Sequence, residues 1–174
     1  MRLFLTGVPG VGKTTLIRAI VKRLDELTCA GFYTEEKRQR GQRVGFRIVT
    51  LTGQQATLAS LGRKAPTVGR YSIHIEEFEA LVLSHLDPET TPADLYVIDE
   101  IGKMELLSSK FRSKIVDLLA QPTDLLATIA SRSKGFIEQI KRRNDVELIE
   151  VTRKNRDHLA EEIERKIKTE LGKF

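Results

Sequence analysis

Residues Gly7 to Thr14 read GVPGVGKT, a glycine-rich stretch ending in lysine and threonine, placed directly behind the apolar run Leu3-Phe4-Leu5. These residue types at this spacing suit a polyphosphate. Gly7, Gly10 and Gly12 can take positive φ, which turns backbone N–H groups inward and lets the chain approach phosphate oxygens that a Cβ would obstruct. Val8, Pro9 and Val11 complete the loop between them. Lys13 supplies a cation for the β- and γ-phosphates, and the Thr14 hydroxyl is placed to ligate Mg²⁺. Thr15 and the helical turn that follows add N–H groups and a positive dipole end.

A second chemical element stands in mid-chain. The apolar run Leu95-Tyr96-Val97-Ile98 ends directly in Asp99 and Glu100. A carboxylate at the end of a buried strand is what a magnesium–phosphate site needs opposite a phosphate loop. Asp99 is the magnesium-side acid of this reading. Glu100, on the other side of the pleat, is the candidate general base for a water behind the γ-phosphate.

The elements that must position these groups follow from periodicity. A strand should feed the glycine loop, and Leu16, Ile17, Ile20, Val21 and Leu24 mark a helix leaving it over Thr14–Glu26. Cys29–Thr34 and Val44–Leu51 read as strands, Thr52-Gly53 as a turn, and Gln55–Leu61 as a returning arm, together an antiparallel insertion. The stretch 62–72 reads as an extended loop, and Ile75–Leu86 as a helix. Leu95–Ile98, Leu125–Ala130 and Val146–Val151 read as strands buried on both faces, separated by helices at Ser109–Ala120 and Lys134–Arg143. A last helix is expected over Arg156–Leu171. Alternating strand and helix with right-handed crossovers predicts an α/β protein, a three-layer α/β/α sandwich on a mainly parallel sheet with its ligand at the strands' carboxyl ends.

The composition narrows the function classes. A chain of 174 residues fits one domain, 1–174; a chain of that size buries roughly 70% of its unfolded surface. The formal net charge of +5 leaves nucleic acid as a partner that is open but not favoured, since a nucleotide site itself needs positive charge. Cys29 is the one cysteine, which excludes an intrachain disulfide and a thiolate metal cluster. His74, His85 and His158 have no second ligand at metal spacing. No apolar run reaches membrane-spanning length, and the expectation is a cytoplasmic protein without a membrane partner, with the oligomeric state open and a monomer compatible with the sequence. The basic segment Lys37–Arg47 reads either as a flap or docking surface for an anion or as a solvated hairpin end. Lys141-Arg142-Arg143 reads as a cluster complementing a helix dipole.

Four blocks carry a resemblance to a known family: GVPGVGKTT at Gly7–Thr15, GFYTEE at Gly31–Glu36, DEIGKMEL at Asp99–Leu106 and VTRKNRDHL at Val151–Leu159. The chain resembles the P-loop nucleoside-triphosphatases first noted in thermophiles, which include the cancer-related nucleoside-triphosphatase of animals. The resemblance implies a RecA/AAA-like P-loop NTPase, with Leu125–Ala130 as an added strand between the phosphate-loop strand and the acidic strand. It implies Mg²⁺-dependent hydrolysis of NTP, ATP and GTP among them, to NDP and phosphate with broad base tolerance. By position it matches Lys13, Thr14, Asp99 and Glu100 to the phosphate lysine, metal ligand, metal-side acid and water-activating acid. Lys103 and Glu105 fall inside its third block, with Lys103 reaching phosphate or holding Glu100. Ser131 and Arg132 stand where this class often carries a polar residue at the end of the added strand. Asn155 reads as a helix cap or as a contact to the nucleotide base. Two other functions share the loop: a P-loop kinase of a nucleoside, nucleotide or other small acceptor, and an NTP-dependent regulator that binds RNA or protein.

Overall fold

The computed structural model describes residues 1–132 and 134–172. In chain order the elements are β1 (Arg2–Thr6), α1 (Lys13–Arg23), β2 (Cys29–Gln39), β3 (Gln42–Thr50), β4 (Gln55–Leu61), β5 (Thr67–Val68), β6 (Tyr71–Ile73), α2 (Ile75–His85), β7 (Leu95–Ile101), α3 (Ser109–Ala120), β8 (Leu125–Ile129), α4 (Phe136–Lys141), β9 (Glu147–Glu150) and α5 (Arg156–Glu170), with a 3₁₀ turn at Glu105–Leu107. They fall into two compact units.

The first unit comprises residues 1–29, 93–101 and those from Thr123 on. Its strands run parallel in the order β7-β8-β1-β9, with Leu3 opposite Leu126 of β8 on one side and Glu147 of β9 on the other. β8 therefore lies between the strand that feeds the glycine loop and the strand that carries Asp99. Leu3, Phe4 and Leu5, the apolar residues of β7 and all of β8 are buried, which is why these strands are continuous apolar runs without alternation. β9 differs from that expectation. It is an edge strand in which only Ile149 is even half-buried, and charged Glu147 and Glu150 blunt its free side. Helix α1 buries Leu16, Ile17 and Ile20, and α5 buries Leu159, Ile163 and Ile167 at a spacing of one turn. An Arg23–Glu164 ion pair at 3.2 Å joins the two helices. At the other end of the sheet the Met1 ammonium meets Asp124, and Arg2 and Arg143 share Asp145.

The second unit comprises residues 30–92 and 102–122. Its strands are antiparallel in the order β5-β6-β4-β3-β2. The antiparallel part is thus larger than the sequence pattern suggests, because 62–72 is not a plain loop but folds back as β5 and β6. Phe32, Phe78 and Phe111 form its centre, edge to face with centroids 5.1 to 6.1 Å apart. Each such pair adds about 0.5–1.5 kcal/mol beyond area burial. Helix α3 starts as its sequence suggests: Ser108 Oγ accepts the Phe111 N–H at 2.9 Å. The chain is α/β with both parallel and antiparallel pairing, and no helix among the described residues is long and apolar enough to cross a membrane.

Candidate active site

β1 is buried on both faces and ends at Thr6, so the chain must leave the sheet sharply before α1 can begin. Gly7, Gly10 and Gly12 make that turn with φ of 154°, 76° and 107°. At Gly7 the need is also steric, since a Cβ there would stand 2.5 Å from the carbonyl oxygen of Val151. Gly12 is the N-cap of α1 and has no capping side chain, which leaves the first N–H groups of the helix free for an anion. Lys13 is only 8% exposed. Its ammonium donates to the Gly7 carbonyl at 3.1 Å and thereby curls back over the loop.

Asp99 and Glu100 lie in the same unit, at the carboxyl end of β7. Asp99 is 1% exposed. Thr14 donates to one of its carboxylate oxygens at 2.6 Å and Thr128 to the other at 2.5 Å. The loop threonine and the mid-chain acid are therefore brought together. The β7–β8 register slips between Ile98 and Ile101, and the Asp99–Glu100 peptide is cis. Burial pushes the Glu100 carboxyl above the ordinary glutamate value, the nearby Asp99 charge adds to this, and Lys13 opposes both. A base with its proton affinity raised toward neutrality is better matched to accept a proton from water.

Thr14 and Asp99 offer hard oxygen donors at one point, which fits Mg²⁺ and not a softer metal. No group of three or more His, Cys, Asp or Glu converges among the described residues, so a cation held here would take its remaining ligands from phosphate oxygens and water.

Other expected residues are placed differently. Asn155 stands at the N-cap of α5 yet makes no side-chain cap bond. Its amide oxygen accepts from the Thr152 N–H at 2.7 Å and its amide nitrogen donates to the Glu150 carbonyl at 2.8 Å. The amide pins the β9–α5 turn. Ser131 and Arg132 are exposed, and the polar residue of β8 that meets the acid is Thr128, three residues earlier. Lys141 is not a simple dipole complement: its ammonium turns to the Ser131 carbonyl at 3.0 Å, and burial lowers its pKa. Arg142 pairs with Glu138 and Arg143 with Asp145. In the second unit Lys103 is exposed and Glu105 buried. There three of the cations at the basic hairpin end are paired, Arg38 and Arg43 on Glu36 and Arg47 on Glu35.

Two residues escaped the sequence reading. Thr128 is one; Arg156 is the other, donating from Nη1 to the Val11 carbonyl at 3.0 Å and lying against Gly12. A threonine in a strand reads as a β-former, and an arginine at a helix start reads as solvent-facing. Neither carries a signal of its own.

A glycine loop between β1 and α1, its threonine bonded to the acid of a strand one place removed, defines a P-loop protein with an added central strand. Comparison with known proteins narrows this class to a family. A model of the NTPase family matches residues 2–164, and the chain belongs to that family. Among its relatives, nucleoside-triphosphatase THEP1 of Thermotoga sp. (strain RQ2) is 44% identical, over 94% of this chain and 93% of that protein. The cancer-related nucleoside-triphosphatase of Homo sapiens is 41% identical over 92% and 93%. The crystal structure of THEP1 from Aquifex aeolicus superposes with a TM-score of 0.85 at 38% identity, covering 94% of this chain and 96% of that one.

Proposed function

We propose that this chain is a Mg²⁺-dependent nucleoside-triphosphatase that converts NTP and water to NDP and phosphate with little discrimination among bases. The observation that carries the reading is the convergence of Thr14 on Asp99 at 2.6 Å beside the Lys13 loop. Lys13 and the N–H groups of Gly7, Val8, Gly10, Gly12 and Thr15 hold the phosphate chain, while Pro9, which has no N–H, and Val11, whose N–H is held by the Val8 carbonyl at 3.2 Å, shape the loop. Thr14 and Asp99 would hold Mg²⁺, which when bound would supply positive charge to offset that of the phosphates. Glu100 accepts a proton as the water oxygen bonds to the γ-phosphorus, and the bond from that phosphorus to the β,γ-bridging oxygen breaks to leave NDP. Thr128 fixes the carboxylate of Asp99. Asn155 acts at the nucleoside end by shaping the turn that flanks the loop.

The proposal takes residues 1–174 as one NTPase domain working in the cytoplasm. The test is phosphate release from ATP, GTP, CTP and UTP without an added acceptor. Steady release supports hydrolysis; no release, with transfer to an added nucleoside, would make the protein a kinase instead. Turnover that depends on added RNA would favour the regulator. In the same assay Glu100→Gln should keep nucleotide binding and slow release by on the order of 10²–10⁴-fold.

A further inference from the structure

We infer that the guanidinium of Arg156 is the surface on which the nucleobase rests, so that bases are held by stacking on a planar cation and not read by hydrogen bonds. The inference rests on the nucleotide-binding reading above and adds to it the means of base recognition. A phosphate chain held by the loop has its reacting end toward Asp99 and Glu100. Its nucleoside must leave past the first turn of α1, which begins at Gly12 and Lys13. The β9–α5 turn closes on this part of the loop, with the Val151 carbonyl oxygen against Gly7 and the Arg156 side chain against Gly12.

Within that turn the Asn155 and Thr152 side chains are engaged with the backbone, and exposed Arg153 and Lys154 bring donors alone. Both ends of the Asn155 amide are bonded to backbone, and the Thr152 hydroxyl accepts the Asn155 N–H at 3.3 Å. With those bonds made, neither Asn155 nor Thr152 turns its whole polar edge to a base. Arg156 is different. One edge of its guanidinium is anchored at 3.0 Å to the Val11 carbonyl, and the Asp157 carboxylate lies 3.5 Å from Nε. The side chain is still 44% exposed. The bond to Val11 orients the group, and the exposed part of the side chain is what a ring can reach. A guanidinium face accepts any aromatic base, and the larger purine surface gains more than a pyrimidine. Such a site holds every base and selects none.

The test is calorimetric titration of the full chain with ADP, GDP, UDP and pyrophosphate in the presence of Mg²⁺, for the wild type, Arg156→Ala and Arg156→Lys. Arg156→Ala should weaken ADP and GDP by on the order of 10-fold and UDP by roughly 3-fold. Pyrophosphate, which has no base, should change by less than about 2-fold, and Arg156→Lys should behave like the alanine variant because its ammonium has no plane to stack. Equal weakening of pyrophosphate would overturn the inference, since it would make Arg156 a brace of the loop or a phosphate contact. Recovery of ADP affinity in Arg156→Lys would overturn it too, by showing that charge alone matters. Diphosphate binding needs no turnover. A wild type that binds them but releases no phosphate from NTP would sink the hydrolase reading, while these titrations would still decide the role of Arg156.

Discussion

Thr128→Val removes one hydroxyl and nothing else of consequence, since valine is nearly isosteric with threonine and favoured in a strand. In the native protein that hydroxyl donates at 2.5 Å to the Asp99 carboxylate. Thr128 is 0% and Asp99 1% exposed, so water cannot take the place of the lost donor. A hydrogen bond to a charged, buried acceptor is worth about 1.5–3 kcal/mol, and a chain of this size loses about 2–4 °C of Tm per kcal/mol. Differential scanning calorimetry should therefore show Thr128→Val melting about 3–12 °C below the wild type. Without the Thr128 donor to orient the Asp99 carboxylate, the Mg²⁺ concentration for half-maximal phosphate release should also rise, by roughly 10-fold, as for other groups that orient a metal's ligand. The decisive comparison is a second cycle in Asp99→Asn. There the acceptor is neutral, and the same substitution should destabilise by only about 1 kcal/mol. An equal penalty in both backgrounds would show that Thr128 supports packing and not the carboxylate, and an unchanged Tm would remove it from the site altogether.

Three further outcomes follow from the loop and its surroundings. Gly7→Ala places a Cβ 2.5 Å from the Val151 carbonyl oxygen and 3.2 Å from a Val11 methyl, and should destabilise by about 2–5 kcal/mol from overpacking plus backbone strain. Gly10→Ala meets nothing within 4 Å and should show only the strain of its positive φ, about 1–3 kcal/mol; urea denaturation of both variants checks the order. Asp99→Asn should raise the Mg²⁺ requirement for phosphate release while Lys13→Ala abolishes tight triphosphate binding at any Mg²⁺ concentration, a contrast read by titrating the metal at fixed ATP. The Cys29 thiol is pushed up to about 11, chiefly by burial and then by the Asp94 charge. Its raised value in the folded state favours the protonated thiol, a contribution to stability fully present below the unfolded value near 9.0 and lost as pH rises through the folded one. Alkylation of the native protein should therefore stay slow at pH 8 to 9 and accelerate toward pH 11, whereas the urea-unfolded chain reacts readily at pH 9.

Much of this architecture was legible in the sequence because burial on both faces leaves a compositional mark. Leu3–Leu5 of β1, Leu95–Ile98 of β7 and β8 apart from Thr128 are apolar runs, and the glycines and lysine between β1 and α1 have few other uses. Asp99 was legible for the same reason: a carboxylate ending such a run is conspicuous. β9 was misjudged as a central strand. Its apolar residues fit either a two-faced strand or an edge, and only the pairing to β1 alone decides between them. The β5 and β6 segments were missed because their pairs are so short that Gly62, Pro66 and Gly69 dominate the local signal.

The absence of a side-chain cap at Asn155 has a single physical cause. An asparagine ahead of an apolar-periodic helix is expected to offer its amide oxygen to the helix N–H groups, but the same oxygen can reach backbone within its own turn. Here it bonds the Thr152 N–H, and the amide nitrogen takes the Glu150 carbonyl. The turn is tightened between β9 and α5, and Arg156, the next residue, comes to lie against Gly12 with Nη1 on the Val11 carbonyl. Periodicity assigns Arg156 to the polar face of a helix, and on that basis any charged residue would serve. The long-range bond to Val11 removes that freedom, because only a planar group with several donors can hold the loop's carbonyl by one edge and still offer an open face. Asn155 and Arg156 thus divide the work beside the loop: the amide sets the turn, and the turn delivers the guanidinium on which we infer that a base rests.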